Sequence, residues 1–128
     1  MYKISIEDLP WRERQVMDVV YRLNEATATQ IQEQLEEPPS NSAIRAMLSR
    51  LEEKVVLTHR EDGQRYLYKA VQPKKKVADS ALKKLVGVFF NDSPTSAATA
   101  LLGMSGKLSA QEIDQLQALI DKAKQEGR

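Results

Sequence analysis
Ala26-Thr27-Ala28-Thr29-Gln30-Ile31-Gln32-Glu33-Gln34-Leu35-Glu36-Glu37-Pro38-Pro39-Ser40-Asn41-Ser42-Ala43-Ile44-Arg45-Ala46-Met47-Leu48-Ser49-Arg50-Leu51-Glu52-Glu53-Lys54 opens the segment whose reading decides the fold. It continues through Val55-Val56-Leu57-Thr58-His59-Arg60-Glu61-Asp62-Gly63-Gln64-Arg65-Tyr66-Leu67-Tyr68-Lys69-Ala70. Thr27 with Gln30 three residues later has capping-box spacing, and Ile31 and Leu35 give the short helix behind it an apolar stripe ended by Pro38-Pro39. Ser40 can cap the next helix, in which Ile44, Met47, Leu48 and Leu51 follow i, i+3, i+4, i+7 as far as about Lys54. The period then changes. Val55-Val56-Leu57-Thr58 is short and β-branched, and Tyr66, Tyr68 and Ala70 alternate with Arg65, Leu67 and Lys69. Glu61-Asp62-Gly63-Gln64 between the two runs reads as a hairpin turn with Gly63 supplying a positive φ. Two short helices followed by a two-strand ribbon form a winged helix-turn-helix pattern.

Working outward, Asp8 can cap a first helix from Pro10 to about Asn24, with Pro10 in its first turn and Val16, Val19, Val20 and Leu23 on one face. Gln72-Pro73 marks a boundary, because proline disfavours helix at the residue before it. The division expected is a winged helix-turn-helix domain over residues 1–72 and a helical dimerisation region over residues 73–128. In the second part, Leu82, Leu85, Val86 and Phe89 form one stripe. Ser93 before Pro94 restarts a helix to about Leu102, with Gly103 and Gly106 loosening the connection after it. Ser109-Ala110-Gln111-Glu112 is a second capping-box match, opening a last helix with Ile113, Leu116, Leu119 and Ile120 on its apolar side. The fold class is mainly α with a small β-hairpin.

Composition sets bounds on function. The chain has 128 residues, 41% of them hydrophobic, enough to fold around a core. Nineteen basic against eighteen acidic residues leave a formal charge of +1, so only the distribution of charge can argue for a nucleic-acid partner. There is no cysteine, which removes disulfides, thiolate metal sites and cysteine nucleophiles and fits a reducing, cytoplasmic setting. No apolar run approaches the roughly 18 residues of a membrane span. Met1-Tyr2-Lys3-Ile4-Ser5 lacks the basic-then-apolar order of a signal peptide.

On a helical wheel with Ile44 inward, Ser42, Ala46 and Ser49 fall on the far side and Arg45 and Arg50 flank it. Small residues let a helix sink into a major groove, and arginines reach guanine edges or phosphates. Arg60, Gln64 and Arg65 are expected at the tip of the hairpin, where a wing meets the DNA backbone or minor groove. Lys74, Lys75 and Lys76 follow, placed to touch phosphates. His59 has no histidine or cysteine companion and reads as a strand-surface residue rather than a metal ligand. Trp11 and Tyr21 are expected to pack the first helix against its neighbours, and Tyr66 and Tyr68 to face the core. No cofactor or metal is indicated.

With these residues in view, the chain resembles the penicillinase-repressor family of bacterial transcriptional regulators. The carrying residues are Leu9 to Tyr21, Ala28-Thr29-Gln30-Ile31, Asn41 to Lys54, Asp62-Gly63 and Tyr66-Leu67-Tyr68. The resemblance implies that Asn41, Ser42, Arg45, Ala46 and Ser49 lie on the base-facing helix, that Arg60, Gln64 and Arg65 lie on the wing, and that the C-terminal helices dimerise. Family members governed by a membrane β-lactam sensor are cut at an Asn-Phe bond. The corresponding segment here, Thr99-Ala100-Leu101-Leu102-Gly103-Met104, lacks that pair. Copper-responsive relatives carry a C-terminal cysteine cluster, which a chain without cysteine cannot supply.

Three functions compete. The leading expectation is a repressor that binds a pseudo-palindromic DNA operator as a homodimer, since two half-sites add their free energies through one fixed interface. A winged-helix protein-interaction module is the alternative, but it would expose aromatic or aliphatic anchors where serine, alanine and arginine stand. An enzyme has no support: one histidine, no cysteine, no glycine-rich phosphate loop, no partnered carboxylate pair. Release from DNA is left open between an unknown inducer, a protease acting at another bond and a partner protein.

Overall fold
The computed structural model describes residues 5–127, so the reading of Met1-Tyr2-Lys3-Ile4 lies outside the described residues. The order of elements is a 3-10 turn Ile6–Asp8, α1 Trp11–Leu23, α2 Ala28–Gln34, α3 Asn41–Glu53, β1 Leu57–Asp62, β2 Arg65–Ala70, α4 Lys74–Phe89, α5 Pro94–Met104 and α6 Ala110–Gln125. This is the mainly α architecture with one β-hairpin that the sequence predicts. The chain divides between Lys83 and Lys84 into two compact units.

The first unit is built around a closed core. Val16, Met17 and Val20 of α1, Ile31 of α2, and Ile44, Leu48 and Leu51 of α3 are almost wholly excluded from solvent, with Val56, Leu57 and Tyr68 completing the cluster. Each helix contributes a stripe whose partners lie on the other two, so none of the three can bury its apolar face alone. Met17 belongs to this core although the stripe read from α1 omits it.

Local chemistry sets the ends of these elements. Thr27 and Gln30 form the expected capping box, the Thr27 hydroxyl accepting from the Gln30 N–H at 3.2 Å and Gln30 Oε1 accepting from the Thr27 N–H at 2.8 Å. Asp8 does not cap α1. It ends a 3-10 turn capped by Ser5, and Pro10 takes the N-cap position, its ring setting φ at −52° without any side-chain bond.

The expected strand start at Val55 also shifts. Val55 takes φ +61°, with its N–H bonded to the Glu52 carbonyl at 3.0 Å and the Val56 N–H bonded to the Leu51 carbonyl at 3.2 Å. These two bonds make a Schellman ending to α3, with a β-branched residue where glycine is usual. The strand therefore starts at Leu57 and runs into the expected turn, as far as Asp62. Register pairs Asp62 with Arg65, leaving Gly63-Gln64 as a two-residue loop with positive φ at Gly63 alone, the type II′ pattern. Ala26 adds one antiparallel pair on the other side of β2, its N–H and carbonyl both bonded to Tyr68.

In the second unit, α5 is capped by Ser93 and continues through Gly103 to Met104, past the expected end at Leu102. Asn91 and Asp92, both at positive φ, make the turn before it. Ser109 and Glu112 form the second capping box of the sequence reading. The capping bond holds the Glu112 carboxyl below its usual range, because the Ser109 N–H donates to it. No described residue of α4, α5 or α6 is fully buried. Leu82, Leu85, Phe89, Ile113, Leu116, Leu119 and Ile120 are exposed in the single chain, and Val86 is half-buried.

Candidate nucleic-acid interface
The outward face of α3 carries Asn41, Ser42, Arg45, Ala46, Ser49 and Arg50, all exposed, while Ile44, Met47, Leu48 and Leu51 face the core. The helix is started by Ser40, whose hydroxyl accepts from the Ala43 N–H at 3.2 Å. Its approach is held by neighbours. The Arg12 guanidinium donates to the carbonyls of Glu36 and Glu37, and Gln32 Nε2 donates to the Pro39 carbonyl at 2.8 Å. These bonds brace the turn between α2 and α3, where Glu37 has a φ of +48°. Such long-range bonds leave no periodic trace in a sequence.

A second brace acts from α1. Glu13 is 5% exposed and accepts from Lys54 Nζ at 2.7 Å and Arg50 Nε at 3.3 Å. A buried carboxylate is costly unless paired, so Glu13 draws both cations toward the end of α3. Arg50 is thus engaged by the fold as well as standing on the outer face.

The wing carries Gln64 and Arg65 at its tip, with Arg65 Nη2 bonded to Asp62 Oδ2 at 3.0 Å. Arg60 is not at the tip. The strand is longer than expected, and Arg60 pairs with Leu67, two register steps from the loop. Its guanidinium makes a two-pronged contact with Glu25, at 2.9 Å and 3.2 Å. The hydrogen bond from Arg60 holds the Glu25 carboxyl below its usual range.

The two tyrosines also divide. Tyr68 is 8% exposed, and burial pushes its hydroxyl pKa up. Tyr66 is 46% exposed and stacks on His59 at 4.2 Å between ring centroids instead of entering the core. His59 Nδ1 lies 2.7 Å from Glu52 Oε2, joining the wing to the last turn of α3. Trp11 does not pack α1 onto its neighbours either. It is 63% exposed, with the Arg12 guanidinium 5.5 Å from its ring centroid. Tyr21 does join elements, its hydroxyl donating to the Gln72 carbonyl at 3.1 Å.

Between the start of α2, Arg45 of α3 and the wing, whose Glu61 also lines it, lies an open cleft of about 500 Å³. Arg45, Gln64 and Arg65 border it together with Thr27, Thr29 and Tyr66, so three of the sequence-derived residues converge there. Arg50, Arg60, Lys74 and Lys75 are not among its lining residues. Lys74 and Lys75 start α4, where Lys75 Nζ bonds Asp79 Oδ2 at 2.8 Å. The carboxylates that hold Arg50 and Arg60, Glu13 and Glu25, were not found by sequence reasoning, because both pairings cross between elements. Among the described residues there is no cluster of histidine and carboxylate groups that could hold a metal ion, and no helix is long and apolar enough to cross a membrane.

An exposed helix of small residues and arginines, carried on a three-helix core and followed by a two-stranded wing, defines a winged helix-turn-helix domain of the kind found in DNA-binding transcriptional regulators. The family profile described as penicillinase repressor matches residues 10–122, and the chain belongs to that family of DNA-binding transcriptional regulators. The fold is similar to that of MarR from E. coli, whose C80S mutant aligns with a TM-score of 0.53 at 17% identity over 91% of this chain and 79% of that one. The same mutant complexed with operator DNA aligns with a TM-score of 0.53 at 16% identity, over 93% and 79%. MepR, a regulator of the Staphylococcus aureus multidrug efflux pump MepA, aligns with a TM-score of 0.51 at 17% identity, over 95% and 82%. A search of curated proteins finds no significant match.

Proposed function
We propose that the protein is a cytoplasmic, homodimeric repressor that binds a pseudo-palindromic operator in double-stranded DNA. The observation that carries this reading is the outward face of α3. Asn41, Ser42, Arg45, Ala46 and Ser49 are exposed together, with no large apolar or acidic side chain among them, and Gln64 and Arg65 of the wing border one cleft with Arg45. Small side chains permit close approach to base edges, and Arg45 supplies the donors for a guanine. Arg50, Arg60, Arg65, Lys74 and Lys75 serve as phosphate contacts, which position the domain without reading sequence.

The dimer is supported by the C-terminal helices. Their stripes, Leu82, Leu85, Val86 and Phe89 on α4 and Ile113, Leu116, Leu119 and Ile120 on α6, lack a buried core of their own. A second copy offering the same stripes would remove them from water, and closed two-fold symmetry is the commonest arrangement for such self-association. With no Asn-Phe pair between Thr99 and Met104, release from the operator uses another route: an inducer, a protease acting at a different bond or a partner protein.

The test is fluorescence anisotropy of the promoter duplex upstream of the protein's own gene, titrated across a salt series against unlabelled random DNA, with sedimentation of the same samples. Competitor-resistant binding by two protomers per site is expected. Arg45→Ala should weaken specific binding by roughly 1–3 kcal/mol and relax discrimination at one base pair, whereas Lys75→Ala should weaken all sequences alike and reduce the salt slope by about one. A chain that sediments as a monomer at micromolar concentration with and without duplex would overturn the dimer. An unchanged specific affinity for Arg45→Ala would overturn the placement of α3 in the groove.

A further inference from the structure
Asn41 is the first residue of α3, yet its side chain does not cap the helix, since Ser40 already takes the Ala43 N–H. Its carboxamide oxygen accepts instead from Arg45 Nε at 2.7 Å. Residues four apart stand one above the other on a helix, and both of these are exposed. The bond has a definite effect on what Arg45 can do. A guanidinium can present two parallel N–H groups either from Nε with one Nη or from both Nη atoms. With Nε taken by Asn41, only the end-on pair remains free for the O6 and N7 acceptors of a guanine.

The charge of the partner matters as much as its position. Arg50, Arg60, Arg65 and Lys75 are each bonded to a carboxylate, on Glu13, Glu25, Asp62 and Asp79. Arg45 is bonded to a neutral amide. A neighbouring carboxylate offsets part of a cation's charge, whereas a carboxamide holds the side chain without neutralising it.

We propose that Asn41 is a positioning residue for Arg45, fixing its guanidinium end-on so that discrimination at one guanine depends on a side chain that does not itself read the base. This inference rests on the DNA-binding reading above. An arginine carries large rotamer entropy, and holding it before binding removes part of that cost from the specific complex and leaves the non-specific one unaffected.

The experiment uses the full chain and duplexes that the wild-type protein selects from a random-sequence pool. Affinities are measured for the selected duplex, for single G·C to A·T replacements, and for the duplex with 7-deazaguanine at each guanine. Wild type, Asn41→Ala, Asn41→Asp, Arg45→Ala and the Asn41→Ala/Arg45→Ala double variant are compared, with thermal melting of each. Arg45→Ala is expected to abolish discrimination at one guanine. Asn41→Ala should reduce discrimination at that same guanine by about tenfold with an unchanged melting midpoint, and the double variant should be no worse than Arg45→Ala. Asn41→Asp keeps an acceptor at the same reach, so it should restore the discrimination ratio while weakening binding to every duplex. Full discrimination in Asn41→Ala, or losses that add in the double variant, would overturn the positioning role while leaving the DNA reading intact. If no duplex is selected, or Arg45→Ala discriminates as wild type does, the groove placement of α3 falls and the positioning role falls with it.

Discussion

Leu48 on α3 and Leu119 on α6 hold comparable places in two well-formed apolar stripes, yet Leu48 is 1% exposed and Leu119 is 64% exposed. Both helices start with a serine N-cap, both show helical periodicity, and both were legible from spacing alone. The difference is in what faces them. The stripe of α3 meets those of α1 and α2 within its own unit, while no described residue of α4, α5 or α6 reaches full burial in the single chain. Periodicity identifies a face that must leave water. It does not say which surface will cover it.

The sharpest way to break this comparison is to truncate both leucines. Leu48→Ala should cost about 2–5 kcal/mol in urea unfolding, from lost burial plus the cavity left behind, and this cost should not vary with protein concentration. Leu119→Ala should cost less than about 0.5 kcal/mol in dilute protein, as exposed positions do, and more as concentration rises if the stripe is covered by a second copy. A concentration-independent cost for Leu119→Ala equal to that of Leu48→Ala would mean that the stripe of α6 is covered within one chain.

Glu13 sharpens the contrast from the polar side, since the first unit buries a carboxylate and supplies two cations for it. Glu13→Gln should lower stability by about 1–3 kcal/mol, because Arg50 and Lys54 lose a charged acceptor while keeping partial access to water. Urea unfolding monitored by circular dichroism would show it, and an unchanged midpoint would mean that the clamp is not a stabilising contact.

Val55 offers a smaller effect of opposite sign. It is exposed and holds a left-handed backbone that a β-branched residue adopts at a cost of about 1–2 kcal/mol. Val55→Gly relieves that cost and gives back about 0.5–1 kcal/mol through the greater freedom of the unfolded chain. A net gain of up to about 1.5 kcal/mol is expected, read as a higher urea midpoint at constant slope.

The smallest effect concerns pH. Arg60 holds the Glu25 carboxyl below its ordinary value of 4.5, so its contribution to stability is present above that pH and is lost as pH falls through the lowered value. Wild type should therefore lose more stability than Glu25→Gln when acidified below pH 4.5, by thermal melting in matched buffers. Parallel acid profiles would remove Glu25 from the set of groups linked to folding.

Helices, capping boxes and the wing were legible because each rests on residues a few positions apart. Thr27 with Gln30, and Ser109 with Glu112, close bonds across one turn, and Gly63 marks the loop by the backbone angle it permits. The start of β1 is not legible in the sequence, because a β-branched residue at φ +61° hides a helix ending that glycine would announce. Arg60 lies away from the tip, against expectation, because strand length depends on cross-strand pairing and not on composition. Tyr66 and Tyr68 share one face of the ribbon, and only the neighbours decide that Tyr68 is covered while Tyr66 stacks on His59.

By itself the sequence determined the order of the helices, the presence of a two-stranded wing, the inward and outward faces of α3 and the family to which the chain belongs. All of these depend on residues in local succession, whose bonds form within a turn or across one hairpin. Only the tertiary structure decided that Glu13 clamps Arg50 and Lys54, that Arg12 braces the turn before α3, that Glu25 holds Arg60, and that Arg45, Gln64 and Arg65 share one cleft. Most of those partners are tens of residues apart in the chain, and charge pairs at such separations leave no periodicity to read. Their geometry exists only once the core has brought the elements that carry them into contact.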